Sequence, residues 1–209
     1  MTVPRPGKIV AIGRNYREHA AELGHAVPAR PLIFLKPPSA VIGDGAPIVL
    51  PPESTRVDFE AEIGVVIGTR VRRMSEQGAS EAIAGFTCVN DVTARDLQRS
   101  DEQWTRAKGF DTFCPVGPRV VALERRRWDE LEVVCRVNGV ERQRGRAPEM
   151  IFSIPALVAY VSGVMTLEPG DLIATGTPAG VGPLQAGDVV EVEVSGVGVL
   201  RNPVIAEAR

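Results

Sequence analysis

The chain has 209 residues, 44% of them hydrophobic, which suits one domain with a sizeable core or at most two small ones. Its 24 Lys and Arg against 26 Asp and Glu give a formal net charge of -2, so no global field recruits nucleic acid or an anionic membrane. No apolar run approaches the roughly 20 residues of a membrane-spanning helix, and residues 1–8 lack the apolar centre of a signal peptide, so a cytoplasmic protein is expected.

In chain order, apolar runs bounded by Gly and Pro predict strands over 9–12, 32–35, 48–50, 59–67, 86–90, 132–137, 172–175 and 189–194. Asn138-Gly139 marks a tight hairpin, because both residues tolerate positive φ. Helical signals are fewer. Asn15 is a candidate cap for a helix over 16–23, Ser75 for one reaching 84, and Ser153, with Pro155 in the first turn, for the longest, to about 161. Another short helix follows Asp91. Nothing in this order alternates as βαβ, so the class is α+β, mainly β, rather than a doubly wound nucleotide-binding fold. Cys88, Cys114 and Cys135, odd in number and set among apolar neighbours, read as buried reduced thiols rather than as a disulfide framework, a zinc site or a nucleophile.

One run breaks the apolar pattern. In Val57-Asp58-Phe59-Glu60-Ala61-Glu62-Ile63-Gly64, strand alternation sets Phe59, Ala61 and Ile63 on one face and Glu60 and Glu62 together on the other, with Gly64 clearing space beside them. Adjacent carboxylates repel unless a cation sits between them. Asp91 ends the apolar run Phe86-Thr87-Cys88-Val89-Asn90, and three converging carboxylates describe a site for a hard divalent cation. For the pair alone, a solvated face of an edge strand explains as much.

Other groups fit the same chemistry. His19 and Glu22, three apart on the first predicted helix, share a face, so Glu22 can orient an imidazole that takes a proton from water. A surface His beside a helical acid is the bland counterpart, and His25 reads as an ordinary loop histidine. Lys108, pointed at three acids, would neutralise part of their charge; a solvated lysine is its alternative. The glycines of Thr175-Gly176-Thr177-Pro178-Ala179-Gly180-Val181-Gly182 allow backbone N–H groups to converge on an anion, but the Gly-Lys-Ser/Thr of a nucleotide-type loop is absent. Glu124-Arg125-Arg126-Arg127 sits among acids and reads as a mixed surface turn.

Taken together, Gly13-Arg14-Asn15-Tyr16 with His19, Phe34-Leu35-Lys36-Pro37, Glu60-Ala61-Glu62, Asn90-Asp91-Val92-Thr93-Ala94-Arg95-Asp96-Leu97-Gln98, Ala107-Lys108-Gly109-Phe110, Met150-Ile151-Phe152-Ser153 and the 175–182 loop follow one another in an order that resembles the fumarylacetoacetate hydrolase family from about residue 9 to 199. The resemblance implies a mixed β-sandwich roll with a few short helices outside, here a single catalytic domain over 1–209 with 1–8 as a short extension. It implies Glu60, Glu62 and Asp91 as ligands of Mg²⁺, or of Mn²⁺ in its place, and His19, Glu22 and Lys108 as catalytic. Gln98 and Thr177 meet the substrate, as do Arg14 and Tyr16 when a lid closes; Arg95 braces Asp91 or Glu60.

The leading expectation is a hydrolase that splits an acylpyruvate-type 2,4-diketo acid such as fumarylpyruvate into pyruvate and a carboxylic acid, because of the His19/Glu22 pair. The alternative is a hydroxyheptadienedioate isomerase or oxo-acid decarboxylase of aromatic catabolism, oxaloacetate decarboxylation or tautomerisation included. A catalytically silent protein binding a divalent metal or an oxo acid is the reading from another class. A homodimer is expected by resemblance, with the apolar hairpin from Val189 to Leu200 as a candidate contact.

Overall fold

The computed structural model describes residues 5–208 except Leu23 and His25, so the expectation for His25 lies outside the described residues. Its elements begin with β1 (Ile9–Gly13), α1 (Arg17–Glu22), β2 (Leu32–Lys36), β3 (Val41–Ile42), β4 (Ile48–Leu50), β5 (Val57–Phe59) and β6 (Ala61–Ile67). Next come α2 (Ala79–Ala82), β7 (Ile83–Asn90), β8 (Thr93–Ala94), α3 (Arg95–Ser100), α4 (Thr105–Gly109) and β9 (Cys114–Val121). The remainder is β10 (Glu132–Val137), β11 (Val140–Arg146), α5 (Ile154–Val164), β12 (Leu172–Ala174), β13 (Gly182–Pro183), β14 (Val189–Val194) and β15 (Gly198–Ala206).

The strands form a seven-stranded sheet, order β2-β1-β12-β6-β7-β9-β3, a five-stranded sheet, order β11-β10-β14-β15-β4, and a small sheet β13-β5-β8. Chain connectivity forces the largest sheet to curl. Its two end strands, β2 and β3, are separated only by Pro37 and the short 3-10 turn Pro38–Ala40. Five Cα steps span at most about 18 Å, whereas seven flat strands would set their outermost members roughly 29 Å apart. The sheet therefore closes on itself as a roll, and Lys36, at the join, is drawn to its interior.

Alternation along the central strands feeds two cores. Ile63 and Val65 of β6 and Cys88 of β7 pack against Val133 and Cys135 of β10 and Val190, Val192 and Val194 of β14, which joins the two large sheets face to face. Val66 and Val89, on the other face, meet Ile9, Ala11, Leu172 and Ala174. The class expected from sequence, mainly β with few short helices, is the one observed. All three cysteines are buried and free, and burial pushes the thiols of Cys88 and Cys114 up to about 12 and that of Cys135 higher still, which removes them as nucleophiles at neutral pH.

Several expectations change in detail. The strand expected over 59–67 is broken at Glu60, where the chain passes from the small sheet to the large one. Asn15 does not spend its side chain on capping α1: it donates to Thr175 O at 2.8 Å and to Phe152 O at 3.1 Å, and accepts from Phe152 N at 2.8 Å, tying three distant segments together. The helix expected after Ser75 is only the four residues of α2, because Ile83 onward is drawn into β7 on the β6 ladder. Ser153 caps α5 as expected, accepting from Ala156 N at 3.4 Å. Val190, Val192, Val194 and Leu200 of the 189–200 hairpin are core residues, so they are not available as a dimer contact.

Gly64 is required by packing. A Cβ there would lie 2.6 Å from Val89 Cγ2 and 2.8 Å from Thr87 Cγ2, so the space beside the glutamates is filled by neighbours on β7. Gly64→Ala is expected to lower the unfolding free energy by roughly 1–3 kcal/mol, the usual cost of overpacking, in a denaturant titration; an unchanged midpoint would show that β7 yields at no cost.

Candidate active site

Strand register assembles the acidic cluster. On the β6–β7 ladder Ala61 pairs with Asn90 and Glu62 with Val89, and Asp91 N donates to Glu60 O at 2.8 Å, so Glu60 and Asp91 stand opposite each other where the two strands end. One carboxylate oxygen from each of Glu60, Glu62 and Asp91 lies within 4.8 Å of the others. Their residues are 4%, 1% and 1% exposed and β6 is internal to its sheet, which removes the solvated-edge explanation.

Cations surround two of the three acids. Glu60 accepts from Arg95 Nη2 at 2.5 Å and from Lys108 Nζ at 2.8 Å. Asp91 accepts from Lys108 Nζ and from Lys36 Nζ, each at 2.6 Å. Arg95 is anchored in turn by Asp58, 3.0 Å from its Nε. Glu62, among the described residues, accepts only the backbone N–H of Gly176 at 2.8 Å. Burial disfavours the ionised form of Glu60, but Lys108 and Arg95 outweigh it and hold the carboxyl well below the usual range. For Glu62 burial and the charges of Asp91 and Glu60 act together and push the carboxyl up. Burial works against the Lys108 ammonium, yet Asp91 and Glu60 raise its pKa.

Three of the four buried carboxylates here have cationic partners: Asp58 has Arg95 and the partly exposed Arg56, Glu60 has Arg95 and Lys108, and Asp91 has Lys36 and Lys108. The shortfall sits at Glu62, beside two other acids. An unpaired buried charge costs several kcal/mol, and oxygen-only donors at this spacing suit a hard divalent cation. The residues present fit such an ion, and Glu60, Glu62 and Asp91 are the ones that would hold it.

A cavity of about 380 Å³ opens onto this cluster. Arg14, His19, Glu22, Gln98, Lys108 and Thr177 line it together with the three acids, so the cavity gathers every expected site residue except Tyr16. Tyr16 is buried at 3% exposure, paired with Met150 in an isolated bridge, and its phenol is pushed up by burial and by the Glu62 charge. His19 Nδ1 lies 3.1 Å from Glu22 Oε2, and Glu22 Oε1 accepts from Gly180 N at 3.1 Å, so the acid joins α1 to the glycine-rich loop while orienting the ring. Arg95 braces Glu60 rather than Asp91; its Nη1 donates to Gln98 Oε1 at 2.7 Å, which leaves the Gln98 NH2 as a donor. The Thr177 hydroxyl donates to Ala61 O at 2.9 Å and accepts from Gln143 Nε2 at 2.7 Å. A substrate carboxylate would have to compete with Ala61 for that proton.

Three residues that sequence reasoning left without a role complete the frame. Lys36 is wholly enclosed and donates to Val92 O at 3.1 Å as well as to Asp91. Asp58 holds Arg95, and Gln143 reaches across from β11 to accept from Ala61 N at 3.0 Å. The signal for Lys36 was a lysine closing an apolar strand just before proline; nothing local marks Gln143.

Glu62 supplies a test. Because the folded protein holds its proton more tightly than the unfolded chain does, stability in chelator falls as pH rises from the ordinary carboxyl value of 4.5 toward the raised one. Glu62→Gln is therefore expected to raise the thermal midpoint in chelator at neutral pH, to flatten that pH dependence, and to abolish the stabilisation that added Mg²⁺ or Mn²⁺ gives the parent protein. A variant that is still stabilised by either cation contradicts this assignment.

Comparison with known proteins gives the family. Residues 8–205 match the family model described as fumarylacetoacetate (FAA) hydrolase C-terminal. The chain is 42% identical over 195 residues to the mitochondrial oxaloacetate decarboxylase of Dictyostelium discoideum, covering 91% of this chain and 89% of that one. It is 43% identical over 213 residues to a mitochondrial oxaloacetate tautomerase of Bos taurus, covering 97% and 68%. The crystal structure of 2-hydroxyhepta-2,4-diene-1,7-dioate isomerase from Mycobacterium marinum superposes with a TM-score of 0.89 at 46% identity, over 98% of this chain and 77% of that one. The chain belongs to the fumarylacetoacetate hydrolase family.

Proposed function

We propose that this protein is a divalent-cation-dependent enzyme that acts on the keto–enol system of oxaloacetate, by tautomerisation or decarboxylation, with Mg²⁺ as its ion. The observation that carries the reading is Glu62, a buried carboxylate beside Glu60 and Asp91 that has no cationic partner among the described residues, on the wall of a cavity that also holds a His–Glu pair. The oxaloacetate enzymes among its relatives favour this substrate over the fumarylpyruvate that the His19/Glu22 pair first suggested.

Glu60, Glu62 and Asp91 would hold the cation, which would supply Lewis-acid charge for the 2-oxo group and its enolate. Lys36 holds Asp91 in place from outside the cavity, and Arg95, on the cavity wall, holds Glu60. Lys108 keeps an ammonium at the cavity wall, where it favours negative charge developing on a substrate oxygen. In tautomerisation a proton leaves C3 and another arrives on the 2-oxo oxygen; His19, oriented through Nδ1 by Glu22, exchanges the proton. In decarboxylation the C3–C4 bond breaks, its electron pair passes into the enolate, CO2 departs and C3 takes up a proton.

The same pair favours a second reading, hydrolysis of an acylpyruvate by a water that His19 deprotonates. Incubation with oxaloacetate or an acylpyruvate and Mg²⁺ separates the two. The first reading predicts faster loss of enol absorbance or release of CO2 from oxaloacetate, sensitive to chelator and reduced at least roughly 100-fold in His19→Ala, in line with the loss of a general acid or base. Pyruvate formed in step with a carboxylic acid from the acylpyruvate, with oxaloacetate untouched, would establish the hydrolase instead.

A further inference from the structure

One wall of the cavity alternates cations and rings from the acidic cluster outward. Lys108 Nζ lies 4.9 Å from the centroid of Phe34. Phe34 meets Trp104 edge to face at 5.3 Å. Arg14 Cζ stands 5.9 Å from the centre of the Trp104 ring. Gly13 makes room for that ring, since a Cβ there would come within 3.3 Å of Trp104 Cζ3. Arg14 itself has a φ of 59°, a left-handed conformation that costs a non-glycine residue free energy and that persists where the surroundings impose it. The backbone and the indole thus fix one guanidinium on the wall.

A second guanidinium shares the cavity. Arg99 stands four residues after Arg95 on α3, so both lie on one helical face, and Arg99 lines the same cavity while remaining exposed. The cavity's charges are therefore sorted. Lys108 and Arg95 are consumed by Glu60, Asp91 and Asp58 at the inner end, whereas Arg14 and Arg99 form no ion pair among the described residues. A ligand whose 2-oxo acid end faces the inner cluster would present its far end to two unneutralised guanidinium groups, the fork-shaped donors best suited to a carboxylate.

We propose that Arg14, seated on Trp104, and Arg99 form a subsite for a second carboxylate, which makes the preferred ligands short 2-oxo dicarboxylates and rejects 2-oxo acids with an apolar tail. The proposal rests on the 2-oxo acid reading of the inner cluster, and binding rather than turnover tests it. The Mn²⁺-supplemented protein is titrated calorimetrically with 2-oxoglutarate and with 2-oxopentanoate, which carries a methyl group in place of the second carboxylate. The expected result is roughly 10-fold or greater preference for the dicarboxylate, the scale of a charge-assisted hydrogen bond. Arg99→Gln, and Arg14→Asn, which tolerates the left-handed backbone, are each expected to remove most of the preference while changing 2-oxopentanoate affinity less than about 2-fold. Equal binding of the two acids to the parent protein overturns the subsite and leaves the 2-oxo acid reading intact, as does a preference that survives both substitutions. Failure of both acids to bind overturns the subsite and the 2-oxo acid reading together.

Discussion

Three carboxylates buried within 4.8 Å of one another are the constraint to which the surrounding structure answers. At that spacing two unit charges repel by roughly 3–4 kcal/mol at an effective dielectric of about 20, and burial adds a desolvation cost for each. Lys36, Lys108 and Arg95 offset Glu60 and Asp91, and Asp58 keeps Arg95 at its post. Among the described residues, Glu62 alone of the three is left to a backbone N–H. A divalent cation would relieve that acid, and elsewhere on the cavity wall Arg14 and Arg99 form no ion pair among the described residues.

The roll is what brings these groups together. Glu60 and Asp91 are set opposite each other by the β6–β7 register, but Lys36 arrives from the join between the two end strands, which exists only because the sheet curls until β2 and β3 meet. Gln143 comes from the second large sheet and holds Thr177 and Ala61 in one network. Asn15 ties the segment before α1 to Phe152 and Thr175, so the helix that carries His19 is fastened to the loop that carries Thr177. The Glu22 contact with Gly180 closes the same link from the other side.

Legibility in the sequence followed the range of the interaction. Strand alternation was enough to put Glu60 and Glu62 on one face, and helical spacing to pair His19 with Glu22, because both relations are local. The strands over 48–50, 132–137 and 189–194 could be read to the residue, each bounded by turn residues of known chemistry. Partners supplied by distant segments were not legible. Lys36 has no local sign that it will neutralise Asp91 fifty-five residues away, and Arg95 could be offered either acid until the fold chose Glu60. Asn15 carries the local signature of a helix cap, yet three distant backbone groups outbid that role. β9 was missed because its Gly117-Pro118 interrupts the pattern of a strand.

The proposed function rests on the acidic cluster being a cation site completed by Glu62. Anomalous diffraction from a crystal soaked in Mn²⁺ tests it most directly. A single strong peak is expected in the cavity, with an oxygen of each of Glu60, Glu62 and Asp91 on the order of 2 Å away, the distance for a small hard divalent ion. A cluster that stays free of anomalous signal at saturating Mn²⁺, or a peak bound elsewhere without Glu62, would contradict it.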